Sequence, residues 1–209
     1  MIIAVDGPTA SGKGTIARAL AAHYGLPHLD TGLLYRAVGR QVFLDGSDPD
    51  DGGDALAACA FPDALLSDAE LRSEATGGLA SRVSVHRSVR QALYERQRSF
   101  ALQPRGAVLD GRDIGTVIAP DADVKLFVTA SVEARALRRW KEMQARGDGA
   151  TPATIEADLR RRDERDRTRA EAPLRVAQDA IVLDTSDLGP GESIAAAIAL
   201  VENALAVRR

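Results

Sequence analysis

Cysteine is nearly absent from this chain. Cys59 stands alone among 209 residues, so no internal disulfide can form and no metal site can be built from cysteine pairs. The thiol reads as a small buried apolar residue. A surplus of positive charge is missing too. The 27 Lys and Arg against 30 Asp and Glu leave −3 at pH 7, which argues against a nucleic-acid binder working through a broad basic face. Any anion site must therefore be a local cluster of arginines. No stretch approaches the ~20 apolar residues of a membrane span. Met1–Val5 lacks a basic region and meets Asp6 at once, so it reads as a buried strand rather than a signal peptide. His23, His28 and His86 lie apart, with no catalytic partner evident nearby, and are expected in surface or packing roles. There is no internal repeat and no long low-complexity tract. These absences leave the cytoplasm as the default compartment, a monomer as the default assembly, and neither nucleic acid nor membrane as a partner.

What is present is an alternation. Short β-branched runs at Ile2–Val5, Ala107–Leu109, Val124–Val128 and Ile181–Leu183, with a weaker one at His28–Leu29, are mostly followed by helical patterns. That predicts an α/β fold, a five-stranded parallel sheet with helices on both faces. Ile194, Ile198, Val201 and Leu205 give a C-terminal helix one apolar face. Each run ends in polar or small residues, and ligands of open α/β sheets sit outside the carboxyl ends of the strands. Two segments break the alternation. Residues 45–85, rich in Asp, Ala, Gly and Ser, read as a small insert beside an acceptor site. Gln144–Thr154, with Gly147 and Gly149 before Pro152, reads as the loop of a lid spanning about 144–170. The core is then 1–44, 86–143 and 171–209.

Gly7-Pro8-Thr9-Ala10-Ser11-Gly12-Lys13-Gly14-Thr15 follows the first run and opens a helix. This is the context a phosphate-binding P-loop requires. Glycines let successive N–H groups converge on one anion, and the helix N-terminus adds its dipole. Lys13 suits the β- and γ-phosphates and the Thr15 hydroxyl suits magnesium. Gly14 intervenes between lysine and threonine, a form typical of small nucleotide kinases. Asp110, ending a strand, is placed to hold Mg2+ or its water.

Arginines crowd the strand tips and one later helix: Arg36, Arg90, Arg112, Arg162, Arg165 and Arg169. A phosphate monoester carries about two negative charges near pH 7. Bringing it beside a triphosphate needs fixed cations, and guanidinium forks match phosphate oxygens. Positions 162, 165, 166 and 169 share helical spacing. Arg135 and Arg139 could line an adenine pocket or lie on a solvated helix face, and Trp140 packs a helix.

At these residues the chain resembles the bacterial cytidylate kinase family, P-loop nucleoside-monophosphate kinases that phosphorylate CMP and dCMP with ATP. The resemblance rests on Asp6-Gly7-Pro8 with Gly12-Lys13-Gly14-Thr15, Asp30-Thr31-Gly32 with Tyr35-Arg36, Val89-Arg90 with Arg96-Gln97-Arg98, Asp110-Gly111-Arg112-Asp113, and Arg162-Asp163 with Arg165-Asp166-Arg167 and Arg169. It implies that Arg36, Arg112 and Arg169 hold the CMP phosphate and that Ser81, Arg90 and Asp113 read cytosine. It further implies that Thr31 touches the nucleotide, that Arg162 and Asp166 contact the sugar, and that Arg165 enters with the lid. Lys13, Arg112, Arg165 and Arg169 are the expected catalytic set. The stretch around Ser67–Gly78 is too short for the small sheet that longer bacterial members carry. Two other readings stay open: a P-loop kinase for another nucleotide or metabolite, and a nucleotide-dependent switch.

Overall fold

The computed structural model describes residues 1–144 and 150–207. Gly147 and Gly149, two glycines of the anticipated lid loop, lie outside the described residues. In chain order the elements are β1 (Ile2–Asp6), α1 (Lys13–Tyr24), β2 (His28–Asp30), α2 (Thr31–Leu44) and α3 (Gly52–Ala57), then three short 3-10 turns between Ala58 and Arg72. They continue with α4 (Glu74–Val83), α5 (Arg87–Ala101), β3 (Ala107–Gly111), a π turn (Ile114–Ile118), β4 (Val124–Thr129), α6 (Val132–Gln144), α7 (Pro152–Thr168), β5 (Ile181–Asp184) and α8 (Pro190–Val207).

All five strands are parallel, in the order β2-β3-β1-β4-β5. The inner strands are continuous apolar runs because helices cover both faces. Ile3, Val5, Leu126 and Val128 pack toward α1 and α8. Ala4 and Leu109 turn the other way, to Ile114, Ile118 and Ala101 of α5. The register pairs Asp6 with Gly111, Asp30 with Asp110 and Thr129 with Asp184. Every strand therefore delivers its polar or small C-terminal residue to one edge, where the candidate site lies.

Residues 45–85 contain helix and 3-10 turns and no strand. Ala55, Phe61, Leu71 and Val83 share a core with Val38 and Val42 of α2 and Val89 and Leu93 of α5. Gly39 lets α4 lie directly on α2: a β-carbon there would come within 2.8 Å of Leu79 Cβ and 2.9 Å of the Ala80 nitrogen.

In α8 the buried line is Ser193, Ala197 and Val201, rotated from the predicted face because small residues permit the closest approach. Ile198 and Leu205 flank it against the core. By length and composition alone α8, with mean hydropathy 1.2 over 18 residues, could cross a membrane, contrary to the expectation that no stretch comes near. Alanines carry much of that value, and one side of the helix packs on the core beside α1.

Candidate active site

Between β1 and α1 the chain runs through a tight loop that lines the cleft. Gly7 has no room for a side chain, since a β-carbon would stand 2.0 Å from the Val128 carbonyl oxygen. Ala10, with φ 62°, occupies the left-handed region, which strains an alanine and is the kind of distortion that concentrates at functional sites. Gly12, at φ 89°, caps α1. The loop lines a cleft of about 790 Å³ together with Lys13, Thr15, Arg36, Asp110, Arg112, Arg138 and Ser186–Pro190. Burial, reinforced by Arg112, holds the Lys13 ammonium down to about 8.

Next to it lies a smaller cavity of about 100 Å³, lined by Thr31, Tyr35, Arg36, Ser81, Arg90, Arg112, Asp113, Arg162, Asp166 and Arg169. Every residue expected at the acceptor faces this space, from α2, α4, α5, the β3 tip and α7. Their polar groups are mutually engaged. Arg90 pairs with Asp113. Arg112 donates from Nε to Asp166 Oδ2 at 2.8 Å and from Nη2 to Thr9 Oγ1 at 2.6 Å. Arg165 donates to Ser81 Oγ at 2.7 Å, and Thr31 Oγ1 donates to the Asp110 carbonyl at 2.9 Å. Arg36 reaches the carbonyls of Leu71 and Ser73 at 2.7 and 2.9 Å. Burial and the nearby Arg162 lower Arg36 to about 10. Arg169 lies just past the end of α7 rather than within it, because the helix stops at Thr168. It turns back to the Ala172 carbonyl and comes within 3.8 Å of Asp113.

Several groups were invisible to motif reasoning. Arg135 is 2% exposed and neither solvated nor free to line an adenine pocket. It grips Asp163 of α7 at 2.5 and 3.1 Å and donates to the Thr9 carbonyl at 3.1 Å. Arg139 lines the larger cleft and meets Glu74 of α4, which also takes Arg162 of α7 at 3.0 Å. Asp6 accepts from the backbone N–H groups of Ile114 and Gly115, both at 2.8 Å. It thereby ties the residue before the phosphate loop to the π turn that follows Arg112 and Asp113. His28, expected in packing, instead meets Asp110 Oδ1 at 2.7 Å through Nε2. The pairing β2–β3 register supplies that contact, and no local spacing hints at it. His23 pairs with Glu202 at 3.4 Å and His86 with the Pro49 carbonyl at 3.0 Å. Cys59 is half-buried, its thiol pushed up to about 11 by burial. Trp140 packs in the small α6–α7 core.

Among the described residues no three His, Cys, Asp or Glu side chains gather as a metal cage. A magnesium ion carried by a nucleotide needs only one or two hard protein oxygens. The Thr15 hydroxyl lines the cleft, and the Asp110 Oδ2 lies 3.6 Å from where a Gly14 β-carbon would stand. Both are oxygen donors, and they fit that requirement.

A family model described as cytidylate kinase matches residues 3–203. A protein named cytidylate kinase from Xanthobacter autotrophicus is 56% identical over 202 residues, covering 97% of each chain. One of the same name from Azorhizobium caulinodans is 55% identical over 204 residues, covering 98% of this chain and 99% of that one. Among solved structures, an uncharacterised protein from Eubacterium ventriosum superposes with a TM-score of 0.56 at 14% identity, over 97% of this chain and 98% of that one. That last likeness is one of fold alone.

Proposed function

The chain belongs to the cytidylate kinase family, and from that premise we propose that it transfers the γ-phosphoryl group of ATP to CMP or dCMP, giving ADP and CDP or dCDP. The observation that carries this reading is Arg112, one guanidinium bonded both to Thr9 of the phosphate loop and to Asp166 beside the acceptor cavity. Two anion sites thus share a wall.

ATP lies along Gly7–Thr15, with Lys13 against its outer phosphates. CMP enters the smaller cavity with its phosphate toward Arg36, Arg112 and Arg169. An oxygen of that phosphate attacks the γ-phosphorus in line, and the bond to the β,γ-bridging oxygen breaks, its electron pair leaving with ADP. No bond to the enzyme forms. Lys13, Arg112, Arg165 and Arg169 neutralise the charge spread over the transferring group, so positioning and electrostatics supply the catalysis. Thr15 and Asp110 would hold a magnesium ion carried by the nucleotide, directly or through water, and the ion would neutralise phosphate charge there. Thr31 fixes the β3 tip, while Arg162 and Asp166 take the sugar hydroxyls. Ser81, Arg90 and Asp113 read the base, where the Asp113 carboxylate accepts from the exocyclic amine of cytosine. Uracil lacks that donor and leaves a buried carboxylate poorly paired, so UMP is a poor substrate.

We place the moving parts around a core of 1–44, 86–143 and 171–209, with the 45–85 insert on the acceptor side and α7 as the lid. We also propose that the enzyme works in the cytoplasm, as a monomer, with neither membrane nor nucleic acid as partner. A coupled ADP-release assay across CMP, dCMP, UMP and AMP tests the substrate, with fastest turnover expected for CMP or dCMP. Fastest turnover with AMP or a non-nucleotide alcohol refutes it. Asp113→Ala should erode the preference for CMP over UMP, which a kinase for an unrelated acceptor would not do.

A further inference from the structure

We propose that His28 is a positioning residue that keeps the Asp110 carboxylate turned toward the metal-bearing face of the bound nucleotide. The proposal rests on the reading of Asp110 as the magnesium-side carboxylate, and it concerns how that carboxylate is oriented.

Asp110 is 3% exposed at the tip of β3. Its backbone is fixed by the sheet and by the Thr31 hydroxyl, which donates to its carbonyl. The side chain still has rotational freedom, and Lys13 lies close enough to feel its charge. A carboxylate in that position could rotate onto the ammonium and present neither oxygen to a metal. His28 prevents this. β2 and β3 are paired with His28 opposite Val108 and Asp30 opposite Asp110, so the imidazole reaches diagonally along one face of the sheet to the carboxylate. An ionised carboxylate can only accept, so the ring Nε2–H donates to Oδ1 at 2.7 Å. Oδ2 is left facing Gly14, between Lys13 and Thr15. One oxygen is anchored and the other is aimed at the phosphate loop. Outer hydrogen bonds of this kind fix the orientation of metal-side ligands, and losing one typically costs 10–100-fold in metal affinity.

The test measures ADP binding by titration calorimetry over a range of Mg2+ concentrations and in its absence. For His28→Phe the Mg2+ concentration that half-saturates the ADP complex should rise by about tenfold or more, while metal-free ADP binding stays within about twofold. His28→Gln places an amide N–H near the position of Nε2 and should hold the Mg2+ requirement within about threefold of the natural chain. A residue that served packing alone would shift stability without separating these two affinities. If the bulk of phenylalanine prevents folding, His28→Ala makes the same measurement. Asp110→Asn is the reference. Should it raise the Mg2+ requirement while His28→Phe and His28→Ala leave it unchanged, the role given to His28 is overturned and the reading of Asp110 stands. Should Asp110→Asn leave it unchanged, both fall together.

Discussion

Asp6 is a buried carboxylate that, among the described residues, has no cation in hydrogen-bond contact and is held by two backbone N–H groups. Burial raises it from 3.8 to about 7, against the lowering effect of those two bonds. A carboxyl whose folded pKa lies above its unfolded value binds more protons when folded between the two, so its contribution to stability falls as pH rises through that window. Asparagine cannot titrate. The stability of the natural chain relative to Asp6→Asn should therefore decline from about pH 4 to pH 7, by at most roughly 1.4 kcal/mol per unit, and level off above. Urea unfolding at several pH values reads this, and a flat difference would contradict the assignment. Gly111 offers a second test. A β-carbon there would stand 2.6 Å from Thr31 Oγ1 and 2.8 Å from Ile114 Cδ1. Gly111→Ala should cost about 1–3 kcal/mol in thermal or chemical unfolding and raise the acceptor KM more than that for ATP. Residues in local motifs, such as Lys13 and Arg112, could be found from their neighbours in sequence. His28 with Asp110 could not, because 82 positions separate them and only the pairing of two strands brings them together.

At the scale of elements, the strands were legible because buried parallel strands read as unbroken apolar runs. The 3-10 turns between Ala58 and Arg72 were not, since they follow side-chain packing against α2 and α5 rather than any periodicity. Nor was the way α7 is mounted. Arg135 of α6 and Asp163 of α7 are both buried and paired in a bidentate clasp, with Ala136, Met143, Ile155 and Leu159 packed alongside. α6 and α7 therefore form one hairpin whose base touches Thr9 of the phosphate loop. Removing one member of a buried pair strands the other. Asp163→Leu should destabilise the protein by about 3–5 kcal/mol, and Arg135→Met combined with Asp163→Leu should recover much of that loss. Unfolding midpoints of the three variants close the cycle. Full additivity of the two single changes would mean that the pair does not act as a unit.

Over the whole molecule, the gathering of the candidate site residues at the carboxyl edge of the sheet was predictable from the alternation of runs and tips. What no spacing reveals is that the arginines of the site are already satisfied. Arg90 rests on Asp113, Arg112 on Asp166, Arg162 and Arg139 on Glu74, and Arg165 on Ser81. Of the arginines proposed to hold the phosphate, Arg112 rests on Asp166, Arg36 on the carbonyls of Leu71 and Ser73, and Arg169 on that of Ala172, so an arriving phosphate exchanges partners instead of meeting bare cations. Bare cations would be clothed in dissolved chloride, which binding must expel, making affinity steeply sensitive to salt. Here little chloride is displaced, so the CMP dissociation constant should change by less than about threefold between roughly 0.05 and 0.5 M KCl. Glu74→Gln takes the carboxylate partner from Arg162 and leaves Arg139 with Glu142, and it should make that dependence visibly steeper. With Asp113, Asp166 and Glu74 as counterions carried inside the fold, the grip on a charged substrate is expected to be insulated from the ionic strength around it.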